Sequence, residues 1–449
     1  MDALVLAAGD GTRLLPLTKD RPKVMIKIFG IPILERVLHV LKNVGVKKVV
    51  IVIGHKGEKI KEYFGNKWNG MEIIYKKSGW VHDGILKSVI VAKDAIKDRF
   101  ILLCGDTIPE EKLLLKGMEK DGTLVVSVRN PSKDDSVVAK VGKDGIITEI
   151  GMKKNLKDYN VSSPGITICD PIFFKGVSEC IAKNKIDRPD VIEWFIKNNY
   201  KVNSFDISDN VLIEIDTKQD LIKAKKIILK NVIEKRLKKH DINLFKKLFN
   251  LPISIQITKL FSYTNLTPNQ ITILSMICAI ISGILLGTNN FIMGGILCYL
   301  SAMLDATDGK ISQLKFKDSK YGAYLDSITD RVAEFSIVLG LTYGLYHLLR
   351  NPLVFLMGFL AVFGWLGRFY VKELFFEFYG KKEENIKEWK KVRKSPYNLF
   401  GDRDVNFFII MITCILGYPL IGMIYTTISS NAFLIIRFIQ TIRRLNINP

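Results

Sequence analysis

Four aspartates stand between two long apolar runs: Asp305 and Asp308 close the first, and Asp326 and Asp330 open the second. The first pair is spaced i,i+3 and the second i,i+4, and on a helix either spacing puts both side chains on one face. Two helices joined by a short loop would aim all four carboxylates at one spot. An aspartate at the centre of a membrane helix costs roughly 2.5–3.5 kcal/mol on insertion scales, and four together would repel one another. Divalent cations that favour oxygen ligands, Mg²⁺ or Mn²⁺, offset both penalties. Two such ions about 4 Å apart can also clamp a phosphoryl group in transfer. A solvated or lysine-paired helix end explains any one of these aspartates, but not the set with Gly309 and Gly322 among them.

A second constellation opens the chain. An apolar run over residues 2–8 leads into Gly9-Asp10-Gly11-Thr12-Arg13. A buried strand ending in a glycine-rich turn lets backbone N–H groups approach an anion closely. Lys23, in Pro22-Lys23-Val24-Met25, adds a second cation to Arg13, and the two would neutralise a triphosphate. No G-K-[ST] follows the glycines, so the turn is not a P-loop. Gly105-Asp106 ends another apolar run, where a carboxylate can hold Mg²⁺ over a nucleotide. Glu214-Ile215-Asp216 forms a further acidic cluster ahead of a helix starting at Gln219, and both of its carboxylates are candidate ligands.

Periodicity gives the elements that position these residues. Helices expected at 32–44, 58–64 and 85–94 alternate with strands at 48–53, 73–76 and 100–104. Such alternation predicts a parallel sheet covered by helices, with ligands bound beyond the carboxyl ends of the strands. The fold class is therefore an α/β Rossmann-like domain, residues 1–230, joined to an all-α domain of six transmembrane helices, residues 266–449. Pro268 is placed to open the first span. Apolar runs follow at 269–287, 291–304, 322–347 and 352–372, the third carrying Asp326, Asp330, Arg331 and Glu334 at its start and the fourth interrupted by Arg368. Residues 405–442 are long enough for two more spans, broken at Gly417 and Pro419. Between the domains, residues 231–265 interleave Lys235, Arg236, Lys238, Lys239, Lys246 and Lys247 with Leu244, Phe245, Leu248, Phe249 and Leu251. That pattern predicts a basic amphipathic helix lying on an anionic leaflet.

Charge and composition narrow the class. The 449 residues carry a formal net charge of +21, and much of the excess flanks apolar runs. A bilayer surface and phosphorylated substrates account for it, and no basic-aromatic module points to nucleic acid. The six cysteines are scattered and suit a reducing setting, with no zinc spacing. No signal peptide is expected, since Met1-Asp2-Ala3-Leu4 runs straight into a strand. Lys310, Lys315, Lys317 and Lys320 fall in one expected loop, and Lys381, Lys382, Lys387, Lys390, Lys391, Arg393, Lys394 and Arg403 in another. Cation-rich loops face the cytosol, which puts both aspartate pairs and the soluble domain on the cytosolic side of the cell membrane. Arg368, near that end of the fourth span, either binds an acceptor phosphate or snorkels to headgroups.

The two halves carry two family resemblances. Leu6-Ala7-Ala8-Gly9-Asp10-Gly11-Thr12-Arg13-Leu14 and Pro22-Lys23 closely resemble the opening signature of the sugar-phosphate nucleotidyltransferases. The resemblance implies nucleotide binding by Leu6, Ala7, Ala8, Gly9, Gly11, Thr12, Arg13 and Lys23, with Gly84 and Ser88 at base and ribose. It also implies metal on Asp106 and Asp216, with Lys153 or Lys154 on the substrate phosphate. Residues 305–330 resemble the CDP-alcohol phosphotransferase signature D-x2-D-G-x2-A-R-x8-G-x3-D-x3-D, with Ser312-Gln313 in place of Ala-Arg. That resemblance implies metal on Asp305, Asp308, Asp326 and Asp330, with Asp330 also taking the acceptor's proton.

Together the halves resemble a family of bifunctional enzymes. It implies CTP, inositol 1-phosphate and CDP-inositol as ligands and di-myo-inositol phosphate phosphate, a compatible-solute precursor, as product. A homodimer through the membrane domain is also implied. The alternative is a CDP-alcohol phosphatidyltransferase that makes a phospholipid headgroup.

Overall fold

The computed structural model describes residues 1–79, 84–131, 137–239, 245–380 and 401–445, without the side chains at 235–239, 379 and 443–445. Leu244 and the cations expected at 381–394 lie outside this set. The chain divides into two units, Met1–Ile227 and Ile228–Pro449.

In the first unit the strands are β1 (Asp2–Ala7), β2 (Lys48–Ile53), β3 (Lys67–Trp68), β4 (Met71–Lys77), β5 (Phe100–Cys104), β6 (Thr107–Pro109), β7 (Leu124–Val128), β8 (Val137–Val141), β9 (Ile147–Met152), β10 (Val161–Ser162), β11 (Thr167–Cys169), β12 (Val202–Asp206) and β13 (Leu212–Glu214). The helices are α1 (Ile33–Asn43), α2 (Glu58–Phe64), α3 (Ile85–Ile90), α4 (Glu111–Met118), α5 (Phe173–Ala182) and α6 (Arg188–Lys197). Eight strands form one sheet in the order β12-β7-β11-β5-β1-β2-β4-β3. β1 lies in its middle, parallel to both β2 and β5. The expected parallel sheet is thus mixed: β11 runs antiparallel to β5 and β7, and β3 antiparallel to β4.

Alternation explains the layers. Leu4, Val50, Phe100, Leu102 and Val126 join Leu86, Val89, Phe173, Phe174 and Phe195 of α3, α5 and α6 in one apolar core. Ala3, Val5, Val49, Ile51 and Leu103, also buried, point to the other face because strand side chains alternate. Both faces are covered, so the central strands read as unbroken apolar runs. Since β1 and β5 are parallel and adjacent, Ala8-Gly9 and Gly105-Asp106 leave the sheet at the same edge.

The second unit is helical: α7 (Lys218–Lys239) leads in, a π-helical turn Lys246–Asn250 follows, and then α8 (Leu251–Ser262), α9 (Pro268–Gly287), α10 (Phe291–Leu314), α11 (Lys320–Leu349), α12 (Leu353–Tyr379), α13 (Arg403–Ile415) and α14 (Pro419–Leu445). Among the described residues five helices, α9 to α12 and α14, are long and apolar enough to cross a membrane. The expected fifth span is the 13-residue α13, about 20 Å long and short of a hydrocarbon core. The break between α13 and α14 falls at Gly417, φ +82°, with Pro419 heading α14.

α9 shows why the span forms. Thr267 and Gln270 cap each other's backbone N–H groups, at 3.3 and 2.9 Å, and Pro268 is the first helical residue. Its 20 residues rise about 30 Å. Ile273, Leu274, Ile277, Ile281 and Ile284 are exposed along it, whereas Ser275, Ala279 and Ser282 are buried. Large apolar residues outside and small ones inside is the pattern of a helix solvated by lipid. Ser275 and Ser282 donate across to Ser301 O and Gly294 O of α10, at 2.8 and 2.7 Å. Against α11 the backbones touch, since a Cβ on Gly340 would fall 1.9 Å from Gly283 O.

Two loop expectations change. α10 continues beyond the aspartates to Leu314, so Lys310 is helical and Lys315 is its C-cap, and both are buried. Lys310 Nζ donates to Ser254 Oγ (2.9 Å), and Lys315 Nζ to Thr264 O and Leu266 O (2.8 Å each). They fasten α8 and the connection after it to α10 instead of standing in a solvated loop. The juxtamembrane stretch differs likewise from a purely surface helix, because Lys246 is bound to Asp402 and Asp404.

Candidate active sites

The first site is built at the edge where β1 and β5 end. Gly11 turns the chain with φ +67°, and a Cβ there would lie 2.9 Å from Lys23 Cβ, so glycine lets the two segments of the signature meet. Thr18 Oγ1 donates to Gly11 O at 2.9 Å. Lys56 and Lys59 donate to the carbonyls of Lys19 and Asp20, pinning the loop's far side. Leu6 and Ala7 end β1, and Ala8 and Gly9 begin the loop. Arg13 lies exposed on a short turn, Thr12–Leu14.

Lys23 is the centre of this site. Its Nζ lies 2.6 Å from Asp106 Oδ2 and 2.5 Å from Asp216 Oδ1. β13 makes the convergence possible by pairing antiparallel with β6, Glu214 opposite Thr107, which carries Asp216 back to Asp106. Asp216 thus faces Asp106 across Lys23, while Glu214 is an exposed strand residue. Burial alone would lower the Lys23 pKa, but the charges of Asp106 and Asp216 outweigh it and raise it. Two carboxylates held together beside a glycine-rich turn are a donor set that suits a hard divalent cation carrying phosphate.

Around this centre Gly84, φ +90°, heads α3, where a Cβ would meet Ile186 at 2.4 Å. Ser88, also on α3, is buried, with its Oγ 3.0 Å from Ser78 Oγ. Lys153 is half-buried just past β9, and Lys154 is exposed. Arg188 escaped the sequence reading. It opens α6 beside Pro189, and its Nη2 donates to Ser163 O at 3.1 Å. Its Nε is buried without a hydrogen-bond partner among the described residues. Burial lowers its pKa, an effect that Cys104 and Glu214 oppose.

The second site lies where α10 and α11 meet. Asp305, Asp308 and Asp326 each offer a carboxylate oxygen, all within 4.8 Å of one another. An oxygen-only trio suits Mg²⁺ or Mn²⁺ better than zinc. Thr272 of α9 donates to Asp308 Oδ2. Asp330, one turn beyond Asp326, stands outside the trio. Its Oδ1 accepts from Arg403 Nη1, and Arg403 Nη2 donates to Asp305 Oδ2. The expected quartet is therefore a trio plus an aspartate tied in by a guanidinium from α13. Gly309 follows Asp308 within α10, and Gly322 N donates to Ser319 Oγ (2.9 Å), capping α11. At the family's Ala-Arg position, Ser312 Oγ donates to Asp318, and Gln313 Oε1 is buried without a hydrogen-bond partner among the described residues.

Arg368 is directed inward. It donates to Gly401 O, lies 3.4 Å from Glu334 Oε1, and stacks 5.6 Å above the Phe433 ring. Arg331 reaches the other Glu334 oxygen at 3.3 Å. Arg403 was legible only as a loop cation. The one local signal was its place between Asp402 and Asp404 at the head of an apolar run.

Comparison with known proteins divides the chain the same way. Residues 2–150 match the nucleotidyl transferase family model, and residues 265–436 match that of the CDP-alcohol phosphatidyltransferases. A protein of Aquifex aeolicus named bifunctional IPC transferase and DIPP synthase is 29% identical over 417 residues, 93% of this chain and 92% of that protein. One of the same name from Archaeoglobus fulgidus is 26% identical over 93% of this chain and 79% of its own. Among solved structures, an inositol-1-phosphate CTP transferase from T. maritima overlaps 49% of this chain and 90% of its own, at 24% identity and a TM-score of 0.43.

Proposed function

We propose that this chain, a nucleotidyl transferase domain and a CDP-alcohol phosphatidyltransferase domain in one polypeptide, is a bifunctional enzyme whose second site consumes what its first site makes. The first reaction joins CTP and inositol 1-phosphate into CDP-inositol and diphosphate. The second passes the inositol phosphate of CDP-inositol to another inositol 1-phosphate, giving di-myo-inositol phosphate phosphate and CMP. The observation that carries the reading is the carboxylate trio Asp305, Asp308 and Asp326 in the same chain as the Lys23-bridged pair Asp106 and Asp216.

At the first site a phosphate oxygen of inositol 1-phosphate attacks the α-phosphorus of CTP, and the bond to diphosphate breaks. Lys23 and Arg13 place positive charge where it builds on the leaving group. Leu6 and Ala7, at the end of β1, line the nucleotide position, and the loop of Ala8, Gly9, Gly11 and Thr12 offers backbone N–H groups to it. Gly84 keeps the edge above α3 open, and Lys153 and Arg188 supply cations for the incoming phosphate. At the second site a hydroxyl of inositol 1-phosphate attacks the β-phosphorus of CDP-inositol, the bond to CMP breaks, and Asp330 accepts the hydroxyl proton. Arg403 orients Asp330, Gly309 and Gly322 leave the nucleotide its approach, and Arg368 is the inward cation for the acceptor phosphate. Magnesium or manganese ions on Asp106 with Asp216, and on Asp305, Asp308 and Asp326, would neutralise phosphate charge at each site.

The reading also places the sites on the cytosolic side. Lys315 ties the connection between α8 and α9, at Thr264 and Leu266, to the end of α10 that follows Asp305 and Asp308. In sequence, Lys317 and Lys320 follow the first aspartate pair and the cations at 381–403 lead into α13, and cation-rich connections favour the cytosolic face. The test is to incubate the purified chain with CTP, inositol 1-phosphate and Mg²⁺ and to identify products by phosphorus NMR. Diphosphate, CMP and a phosphodiester are expected. Diphosphate without CMP would remove the second activity, and CMP release only when lipid is added would favour a phospholipid product.

A further inference from the structure

A chain of ion pairs and hydrogen bonds connects the juxtamembrane turn to the second site. Lys246 Nζ lies 3.1 Å from Asp404 Oδ2 and 2.9 Å from Asp402 Oδ2. Asn250 Nδ2 donates to the same Asp404 oxygen at 3.0 Å, and Tyr299 OH donates to Asn250 Oδ1 at 2.9 Å. Asp404, Asn250 and Tyr299 are all less than a tenth exposed. The other Asp404 oxygen, Oδ1, lies 3.7 Å from Arg403 Nε, and the two Arg403 Nη atoms hold Asp305 and Asp330. A buried carboxylate that loses one cation must lean on the next. Without Lys246, Asp404 would draw Arg403 toward itself and away from Asp305 and Asp330.

We propose that Lys246 is a positioning residue of the transferase site, acting through Asp404 and Arg403 on Asp305 and Asp330, so that the juxtamembrane turn is a working part of that site. This rests on the transferase reading above. It departs from a leaflet-binding role for Lys246, which would act through solvent and lipid and be screened by salt. Lys246 instead sets where two carboxylates stand, and misplacement of reacting groups by about 1 Å costs about 10²-fold in rate.

The test uses the full chain in lipid and follows CMP release from supplied CDP-inositol and inositol 1-phosphate. Lys246→Met keeps the stem and removes the charge. Its kcat should fall by about 10²-fold, with KM for CDP-inositol within about threefold of the parent. Lys246→Arg should restore most of the rate, and diphosphate formation from CTP should be unchanged in both. In an Arg403→Lys background, Lys246→Met should add little, because the two act as one unit. A Lys246→Met chain with parental kcat, or losses that add fully in the double variant, would overturn the proposal. Should Lys246→Met fail to fold, Lys246→Gln, which removes the charge but keeps a polar end, takes its place, and unchanged kcat there would overturn the proposal equally. If the unaltered chain itself releases no CMP, it is the transferase reading that fails.

Discussion

Lys23 Nζ lies 2.5 Å from Asp216 Oδ1, although the two residues stand at opposite ends of the first unit's sequence. Neither position is informative by itself, since surface lysines and aspartates are common. Their meeting, with Asp106 on the same nitrogen at 2.6 Å, joins the glycine-rich loop to the acidic pair.

Replacing Lys23 with methionine should therefore remove charge at the triphosphate and release the two carboxylates from each other. The expected loss in kcat for CDP-inositol formation is about 10²- to 10³-fold, the scale for removing one donor aimed at developing charge. Transfer from supplied CDP-inositol should be unaffected. Initial rates of diphosphate release against rates of CMP release check both parts.

Arg188 should act on the acceptor. Arg188→Ala leaves the nucleotide loop untouched and removes the cation beside Ser163. KM for inositol 1-phosphate should rise about tenfold or more while KM for CTP stays within about twofold, as expected for one lost charged hydrogen bond. Equal rises in both constants would place Arg188 in the framework and not at the acceptor.

The first unit should lose stability as pH falls, through His39. Its ring packs edge-on against Trp68 at 4.8 Å, and burial, helped by Lys42 and Arg36, lowers its pKa from 6.5 to about 4. An unfolded chain takes up the proton as pH drops through 6.5, and the folded one resists until about 4. The stabilisation is whole above 6.5 and is lost between 6.5 and 4, amounting to at most about 3 kcal/mol. Denaturant unfolding at pH 7.5 and 4.5 should show a smaller decline in His39→Gln than in the parent.

Much of the architecture was legible locally. The strand–turn start, the capped opening at Pro268 and the break at Gly417 and Pro419 depend on neighbours in sequence, where periodicity and capping rules operate. What was hidden depends on distant partners. The antiparallel insertion of β11 and the pairing of β13 with β6 are set by tertiary contacts. Lys246, Lys310 and Lys315 read as loop or leaflet cations because a lysine's partners are not written beside it. Arg403 was hidden for the same reason: its carboxylates, Asp305 and Asp330, lie on two other helices.

The most direct measurement of the central claim is a crossed assay with Asp106→Ala and Asp330→Asn chains, each supplied with CTP and inositol 1-phosphate. Asp106→Ala alone should make no CDP-inositol yet release CMP when CDP-inositol is added. Asp330→Asn alone should accumulate CDP-inositol and release no CMP. Mixed together, the two should restore di-myo-inositol phosphate phosphate and CMP. If either substitution abolishes both steps, or the mixture stays inactive while each half-reaction survives, two sites linked by a shared intermediate is the wrong description of this chain.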